Sequence, residues 1–590
     1  MQHPLSEYPR PALRRDSFES LNGSWQYAFT KAAQFPTAWD GTIRVPYSPE
    51  APASGVRRTL QPGEWLHYHR GFTPPAGQGG RVLLHFGAVD YACAVEVNGH
   101  LAGGHRGGYW PFTLDITDYL RPGRNTLWVA VQDPTGNGTQ ARGKQTLTPG
   151  GMFYHAQSGI WQTVWLERVP DNYITELTVT PDYDARTVTV KAHTAQPGGA
   201  KNLWAVVRAG GVTIAEDWGG DEADQDGEVT LNIPEKHFFP WSPDSPFLYD
   251  LTVGTTQGDE DGFDTVHSYF ALRKWSCEPD AKGILRFCLN GKPILLNGLL
   301  DQGYWPEGLY TPPSDAAVVH ELEQVKELGF NLLRKHAKIE PQRWYYHCDK
   351  LGLIVWQDMV NGGGKMNQWY VTYLTNALLP LLRHTPDAKP LWGLLGRETE
   401  ASRESYQTEL KATVEALRCH PCIGCWVPFN EGWGQFDARA ATAALRALDD
   451  TRLIDEASGW YDQGGGDVDS RHNYFYPLRI RPGGRTVALS EYGGIAWPMP
   501  GHEPPGKTYG YGTAKDKADL TKRYKMLQWK TILPQLGRGL SALVYTQLTD
   551  VEDEVNGLFT YDRAALKPEA AAVRSCNAAL AAEFAKATAK

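Results

Sequence analysis

Short apolar runs broken by turn residues fill the first part of the chain. Val82 to Phe86, Ala92 to Val97 running into Asn98-Gly99, and Leu127 to Val131 after Pro122-Gly123 read as strands, and Asn-Gly is a strong hairpin signal. No amphipathic helix of useful length interrupts residues 20 to 170, so residues 1–170 are expected to form an all-β sandwich. A second alternating region follows, with Val188, Val190 and Ala192, then Leu203 to Val207, then Leu248 to Val253. Its span, residues 171–276, suits an immunoglobulin-like sandwich of roughly 100 residues. The acidic stretch Asp221 to Glu228 lies between these strands; it holds only a fragment of a calcium loop, Asp224-Gln225-Asp226-Gly227, and is read as a solvated hairpin.

After about residue 277 the rhythm changes to strand then helix, repeated. Ile294 to Leu299 is apolar, and Ser314 opens a helix whose Val318, Leu322, Val325 and Leu328 keep helical spacing up to Gly329. A strand at Asn331 to Arg334 follows, then a helix with Pro341 in its first turn and Gly352 at its end, then a strand at Leu353 to Gln357. Further strands are expected at Ile423 to Phe429, Leu453 to Ala457, His472 to Phe475, Ala488 to Ser490 and Leu540 to Tyr545, with helices near 437–449 and 518–533. That inventory predicts a closed (β/α)8 TIM barrel over residues 277–590. A doubly wound open sheet is the alternative, but no Gly-rich phosphate turn opens any of these helices.

Composition narrows the partners. A formal net charge of -9, with no run of Lys and Arg, argues against nucleic acid, and no apolar stretch is long enough to span a membrane. The opening residues lack the apolar run of a secretory signal, and eight cysteines are too sparse for a disulfide scaffold, so a cytoplasmic protein is expected. Cys419, Cys422 and Cys425 have a spacing that metal sites use, yet Cys425 falls inside the expected fourth strand and no fourth cysteine follows nearby; buried packing is expected. The 21 Trp and 28 Tyr are an aromatic excess that suits both sugar-binding faces and sandwich cores.

In a (β/α)8 barrel the working groups sit where strands end. The polar residues closing the expected strands are Asp301 and Gln302, Arg334 and His336, Asp358, Asn430 and Glu431, His472 and Tyr474, Glu491, and Gln547 with Asp550. Several carboxylates therefore converge. Retaining glycoside hydrolysis needs one carboxylic acid to protonate the leaving oxygen and one carboxylate, roughly 5 Å away, to attack the anomeric carbon.

Two of these glutamates sit in distinctive surroundings. Glu431 lies in Cys425-Trp-Val-Pro-Phe-Asn-Glu-Gly-Trp-Gly-Gln435 and Glu491 in Ala488-Leu-Ser-Glu-Tyr-Gly-Gly494. At these residues the chain resembles glycoside hydrolase family 2, which includes β-galactosidases, β-glucuronidases and β-mannosidases. Ser20-Leu-Asn-Gly-Ser-Trp25 and Gly159-Ile-Trp-Gln-Thr-Val-Trp-Leu-Glu167 look like the opening and closing of that family's jelly-roll, sugar-binding-like sandwich, and Arg418-Cys-His-Pro-Cys422 like its approach to the fourth strand. The resemblance implies Glu431 as acid/base and Glu491 as nucleophile. Asn430 is placed to bond the sugar 2-hydroxyl, and Tyr474 resembles the tyrosine that orients the nucleophile. A protonated Glu431 would need an apolar wall such as Trp433 and the negative charge of Glu491 nearby. His472, Asp301 and Asp358 join the list of substrate contacts, while Arg334 and His336 suit either that role or an ion pair organising the barrel mouth.

The sequence also departs from the family. After the first barrel strand it reads Leu299-Leu-Asp-Gln-Gly-Tyr-Trp305, without the His-rich loop of well-known β-galactosidases, and Trp356-Gln-Asp-Met-Val-Asn361 lacks their magnesium ligands. No Asn-x-Lys that would grip a glucuronate carboxylate is found, and Tyr545-Thr-Gln-Leu548 stands where related barrels often place a tryptophan. No metal or cofactor is expected. The expected substrate is a neutral terminal β-linked sugar, galactose before mannose or arabinose, removed from the non-reducing end because the long segment 361–418 can wall off a pocket. A β-glucuronidase, a β-mannosidase and a non-catalytic carbohydrate-binding protein are the alternatives, and association of identical chains is left open.

Overall fold

Alternation of inward apolar and outward polar residues folds the first part of the chain into two facing antiparallel sheets in the computed structural model, which describes residues 4–589 except 78, 197–202, 220–226, 256–263, 375–382 and 505. One sheet has four strands, with Val164–Val169 and Arg81–Phe86 at its centre; the other has six, with Trp65–Phe72 and Asn125–Gln132 at its centre. Trp25, Leu66, Tyr68, Phe86, Val95, Val129 and Leu166 fill the space between them. The second sandwich pairs Ile174–Asp182, Thr187–Thr194 and Gly227–Asn232 against a four-stranded sheet centred on Leu203–Ala209 and Tyr249–Thr255. Residues 221–226 of the acidic stretch lie outside the described residues, and Gly227 already begins a strand.

The remainder is the barrel. Its parallel strands are β1 (Leu296–Asp301), β2 (Leu332–Lys335), β3 (Ile354–Asp358), β4 (Ile423–Val427), β5 (Leu453–Ile454), β6 (Val468–Asn473), β7 (Thr486–Gly493) and β8 (Leu540–Thr546). They hydrogen-bond in the order β5-β4-β3-β2-β1-β8-β7-β6, so the ring closes everywhere but between β5 and β6. Outside it run α1 (Asp315–Glu327), α2 (Gln342–Leu351), α3 (Glu400–Leu417), α4 (Ala438–Leu448), α5 (Lys517–Met526) and α6 (Ala570–Thr588). The hairpin Trp275–Pro279 and Leu285–Leu289 closes the barrel floor, where buried Arg286 donates to the carbonyls of Leu536 and Leu540 at 2.9 and 3.1 Å. No helix among the described residues is long and apolar enough to cross a membrane.

Several expected elements move. Segment 361–418 is not one connection: it contains α3, started by Thr399 capping the Ser402 N–H, with Tyr406, Leu410, Val414 and Leu417 buried at helical spacing. β6 begins at Val468 and stops at Asn473, earlier than the apolar content suggests, because its inward face alternates Val468, Ser470 and His472, two of them polar. β5 is only two residues long; Ala457–Ser458 pairs instead with Phe429–Asn430 as a short ribbon at the mouth.

The first sandwich reaches the barrel mouth through residues 140–157. The N–H groups of Arg142 and Gly143 donate to the Asn361 carbonyl at 3.0 and 2.9 Å, and the Tyr154 hydroxyl donates to Glu554. Asp550 accepts from Lys567 at 2.6 Å, and Glu552 pairs with His155 at 2.9 Å. The acidic loop 550–554 thus spends these carboxylates on its own chain, and two of them hold the sandwich.

Between the sandwiches, buried Arg15 donates to Glu167 at 3.0 Å and to both oxygens of Asp264 at 3.0 and 2.6 Å. Burial alone would raise the Glu167 carboxyl, but Arg10, His85 and Arg15 together hold it far below the usual range. A folded-state pKa depressed below about 4.3 contributes stability that is complete above that value and is lost as pH falls through the folded one. Arg15→Met strands Asp264 and weakens the hold on Glu167, so it is expected to cost about 3–5 kcal/mol. Urea unfolding checks this: the first transition should come at lower urea at pH 7, and the gap from the unaltered chain should narrow on acidification.

Candidate active site

Four strand ends meet on one guanidinium. Arg334 near the end of β2 is fully buried, and a charge in that setting survives only if paired on every side. Its Nε and Nη2 grip both oxygens of Asp358 at the end of β3, each at 3.0 Å. Nη2 also donates to Asn430 Oδ1 at 2.8 Å, and Nη1 to the Ser490 carbonyl at 3.1 Å and to Glu491 Oε1 at 3.2 Å. Arginine can only donate, so it fixes the Asn430 amide with its oxygen inward and its NH2 turned away toward the mouth. His336 Nδ1 lies 2.6 Å from the second oxygen of Asp358.

Glu491 sits on β7, level with His472 of β6. Its Oε2 accepts from the Tyr474 hydroxyl at 2.6 Å, and Tyr474 itself stacks on Tyr511 with ring centroids 3.9 Å apart. Burial would raise this carboxyl, but His472, Arg334, His336 and the Tyr474 hydrogen bond outweigh it and hold it below the usual carboxylate range. At neutral pH it is a carboxylate.

Glu431 faces it from the residue after Asn430. Its φ of 53° is left-handed, a costly conformation for a side chain with a Cβ, and Gly432 follows at 74°. The turn is held by the Glu431 N–H on the Ser458 carbonyl at 2.9 Å and by the Trp460 indole on the Glu431 carbonyl at 2.9 Å. His472 Nδ1 lies 2.9 Å from Glu431 Oε1 and 3.6 Å from Glu491 Oε2, so the imidazole stands between the two carboxylates. Ligand-type atoms of Glu431, His472 and Glu491 all lie within 4.8 Å of one another, the single such group among the described residues. Arg334 already supplies a cation to that group, which works against a metal ion there.

Of the residues expected at the site, Glu431, Glu491, Asn430, Tyr474, Arg334, His336, Asp358 and His472 are gathered into one bonded network. Asp301 is not. It pairs in register with Lys335, not Arg334, and successive strand residues face opposite ways, so its carboxylate turns to the Lys335 ammonium and the Gly303 N–H. Trp433 is buried against Phe153 of the first sandwich, ring centroids 5.5 Å apart, beside Leu395, Trp460 and Tyr461. Gln302 and Gln547 bond each other at 2.9 Å. Cys422 and Cys425 are buried, and Cys419 is half-buried.

Other neighbours carry no sequence signal. Lys144 comes from the sandwich loop and is only 7% exposed, its Nζ 5.6 Å from the ring centroids of both Tyr154 and Trp433. Among the described residues it forms no ion pair. After burial itself, its charge is the main influence lowering the His336 pKa. Ser458, Ser470, Ser490 and Asp455 lie behind His472, all buried.

This arrangement, two sandwiches ahead of a barrel with paired glutamates at its mouth, defines a multidomain barrel protein built like glycoside hydrolases. Three family models match it in order: a glycosyl hydrolase 2 galactose-binding domain-like model over residues 54–162, the glycosyl hydrolases family 2 model over residues 172–273, and the family 2 TIM barrel domain over residues 283–474. The chain belongs to glycoside hydrolase family 2. It is 24% identical over 451 residues to a β-galactosidase of Thermoanaerobacter pseudethanolicus, a match covering 72% of this chain and 53% of that protein. The chain spans about half the length of the curated relatives it matches. A β-glucuronidase of Bifidobacterium dentium complexed with coumarin-3-O-glucuronide superposes with a TM-score of 0.73 at 18% identity, covering 98% of this chain and 99% of that one. A β-galacturonidase from Eisenbergiella tayi bound to galacturonate gives 0.71 at 17%, covering 97% and 99%. At these identities the solved structures speak for the fold alone.

The Tyr474 contact sets a direction for pH. Its hydroxyl donates to the ionised form of Glu491, so Tyr474→Phe should raise that carboxyl's pKa and move the acid limb of the kcat/KM profile to higher pH. A profile measured from pH 3 to 8 checks it; an unmoved acid limb would show that the hydroxyl does not stabilise the carboxylate.

Proposed function

We propose that the chain is a retaining, exo-acting β-glycosidase that removes a terminal β-linked sugar by double displacement. The observation that carries the reading is the close approach of Glu431 and Glu491, with an oxygen of each inside the same 4.8 Å group. Retaining enzymes hold their carboxyl groups about 5–5.5 Å apart, whereas inverting ones leave about 6.5–9.5 Å for a water. The two glutamates also differ as the mechanism requires. Glu491 is held ionised by a guanidinium and a phenol and serves as nucleophile on the anomeric carbon. Glu431, bonded to the imidazole and not to the guanidinium, serves as acid for the leaving oxygen and then as base for water. The Asn430 NH2, turned outward by Arg334, suits the sugar 2-hydroxyl.

Sandwich residues 140–157, with Met366, Tyr370, Val371, Leu391 and Leu395 packed against Phe153 and Trp433, wall the mouth, which supports removal of an end sugar over cutting within a chain. A neutral sugar, galactose first, remains the leading reading because the sequence's Asn-x-Lys, Asn290-Gly291-Lys292, sits in the hairpin at the barrel floor and not at the mouth. One observation favours a second reading, a β-uronide: the Lys144 ammonium is buried beside Trp433 and His336 without a carboxylate of its own.

Glu491→Ala should lower kcat by several orders of magnitude, with partial rescue by azide, which enters the space left by the carboxylate. Glu431→Gln should lose most on poor leaving groups and least on activated aryl glycosides. Near-normal turnover in the first variant, or equal loss across leaving groups in the second, would sink the assignment of roles.

A panel of nitrophenyl β-glycosides tests the sugar. Galactoside is expected to have the highest kcat/KM, and Lys144→Met should change it little. If glucuronide or galacturonide leads, and Lys144→Met costs it roughly 10–100-fold, as losing a charged hydrogen bond does, the neutral reading falls and the uronide reading stands.

A further inference from the structure

Behind His472 runs a buried file of hydroxyls that ends on a carboxylate. His472 Nε2 lies 2.9 Å from Ser458 Oγ, Ser458 donates to Ser490 Oγ at 2.9 Å, Ser490 is 2.6 Å from Ser470 Oγ, and Ser470 donates to Asp455 Oδ2 at 2.8 Å. The five residues come from the mouth ribbon, from β6, from β7 and from the residue after β5, and none is more than 3% exposed. A lone imidazole-to-serine contact would be ordinary packing. Four contacts in series, closed by a residue that when ionised only accepts, form a directed chain.

The direction follows from the donor inventory. Ionised Asp455 can only accept, so Ser470 gives its hydrogen to it and must accept from Ser490 across the 2.6 Å contact, which is shorter than the 3.3 Å from Ser490 Oγ to the Arg471 carbonyl; Ser490 in turn accepts from Ser458. Ser458 then has no hydrogen left for the imidazole, and His472 must present Nε2–H to it. Arg334 Nη1 also approaches Nε2 at 3.5 Å, but its two hydrogens already go to the Ser490 carbonyl and to Glu491. The charged groups facing the ring are therefore Glu431 and Glu491 on the Nδ1 side and Arg334 on the Nε2 side, with Asp455 at the far end.

We propose that Asp455, through Ser470, Ser490 and Ser458, fixes His472 as the Nε2–H tautomer, so that Nδ1 presents a lone pair to Glu431 and the two share one proton. Asp455 is a positioning residue that acts through four others. With Nδ1 unprotonated, the proton on the pair belongs to the protonated carboxyl of Glu431, which gives it to the leaving oxygen in the first step and recovers one from water in the second; the imidazole is then neutral, and Glu491 keeps its charge through Arg334 and the Tyr474 hydroxyl. The opposite tautomer, Nδ1–H, would donate to the Glu431 carboxylate and favour its ionised form, which is the wrong form for an acid. Burial pushes the Asp455 carboxyl up to about 6, against the opposing pull of Arg334 and Ser470, so it is mostly ionised at neutral pH.

The inference rests on Glu431 being the acid/base, and the test separates the two. Asp455→Asn keeps the shape and, with its NH2 turned to Ser470, donates where the carboxylate accepted, which reverses every hydroxyl and moves the imidazole proton to Nδ1; nitrogen-15 NMR of the variant checks that orientation. With phenyl and 2,4-dinitrophenyl β-glycosides of the sugar preferred in the panel, the variant is expected to lose roughly 10²-fold in kcat/KM on the phenyl substrate and only a few-fold on the dinitrophenyl one. Its alkaline limb should shift to lower pH. An unmoved alkaline limb, or equal loss on both substrates, overturns the proposal while Glu431→Gln still shows its own leaving-group dependence. If Glu431→Gln shows none, the reading of Glu431 itself has failed. Should Asp455→Asn not fold, Ser458→Ala cuts the same chain and is expected to move the limb the same way. Nitrogen-15 NMR of the unaltered protein reads the tautomer directly: a resting His472 protonated at Nε2 and not at Nδ1 supports the chain, and one protonated at Nδ1 alone overturns it.

Discussion

The burial of one guanidinium organises the barrel mouth. Arg334 is taken out of water entirely, and no single carboxylate could hold its charge there without leaving hydrogens unsatisfied. It is satisfied by groups from β3, from the residue before Glu431, and from β7, so the strand ends must converge on it. The same contacts orient the site. Asp358, fixed by Arg334, is also the partner of His336; Asn430, fixed by its oxygen, has its NH2 free for other use; Glu491 gains a cation on one oxygen and a phenol on the other. Removing the arginine would strand at least two acids in a low-dielectric space, so the residue is both a packing constraint and the source of the site's electrostatics.

The asymmetry between the two glutamates follows from which of them Arg334 reaches. Glu491 lies within its fork, while among the described residues Glu431 pairs with His472 and not with the guanidinium. Two carboxylates this close cannot both be charged without an opposing cation, and one arginine already divided with Asp358 does not neutralise three acids. A proton on the Glu431 and His472 side would relieve the repulsion and leave Glu491 ionised. The left-handed turn at Glu431 serves the same geometry, since it aims that side chain at the imidazole and away from the guanidinium.

How much of this was legible in the sequence depended on what kind of signal each residue leaves. Glu431 and Glu491 end apolar strands, so they stand out as polar residues where burial is expected, and the two sandwiches declare themselves by alternation and by Asn-Gly turns. The apolar pattern sets β6 too late, because Ser470 and His472 face inward and hydrophobic periodicity cannot see a polar interior face. The same blindness hid Ser458, Ser490 and Asp455. Asp301 reads as a site residue for the opposite reason: it ends β1 as Arg334 nearly ends β2, but its register partner is Lys335, and a one-residue difference in a strand reverses the face. Helix α3 was legible in principle from Tyr406, Leu410, Val414 and Leu417, but its polar spacing residues and the long stretch before it masked the period.

Lys144 lies beyond any local reading, because nothing in its own neighbourhood along the chain refers to the barrel. It reaches the mouth because the sandwich loop is pinned at Asn361 by two backbone hydrogen bonds and at residues 550–554 by Tyr154 and His155, while Tyr47, Tyr109 and Trp161 of the sandwich share one buried core with the barrel. Those anchors lie on the connections after β3 and after β8, on either side of the Arg334 network. The sandwich is therefore fixed relative to Glu431 and Glu491 by contacts that do not involve them. An ammonium delivered that way can differ between relatives without altering the two glutamates, since a loop change on the sandwich leaves the strand ends and Arg334 intact. The barrel would then set the reaction and the sandwich loop would help select the sugar.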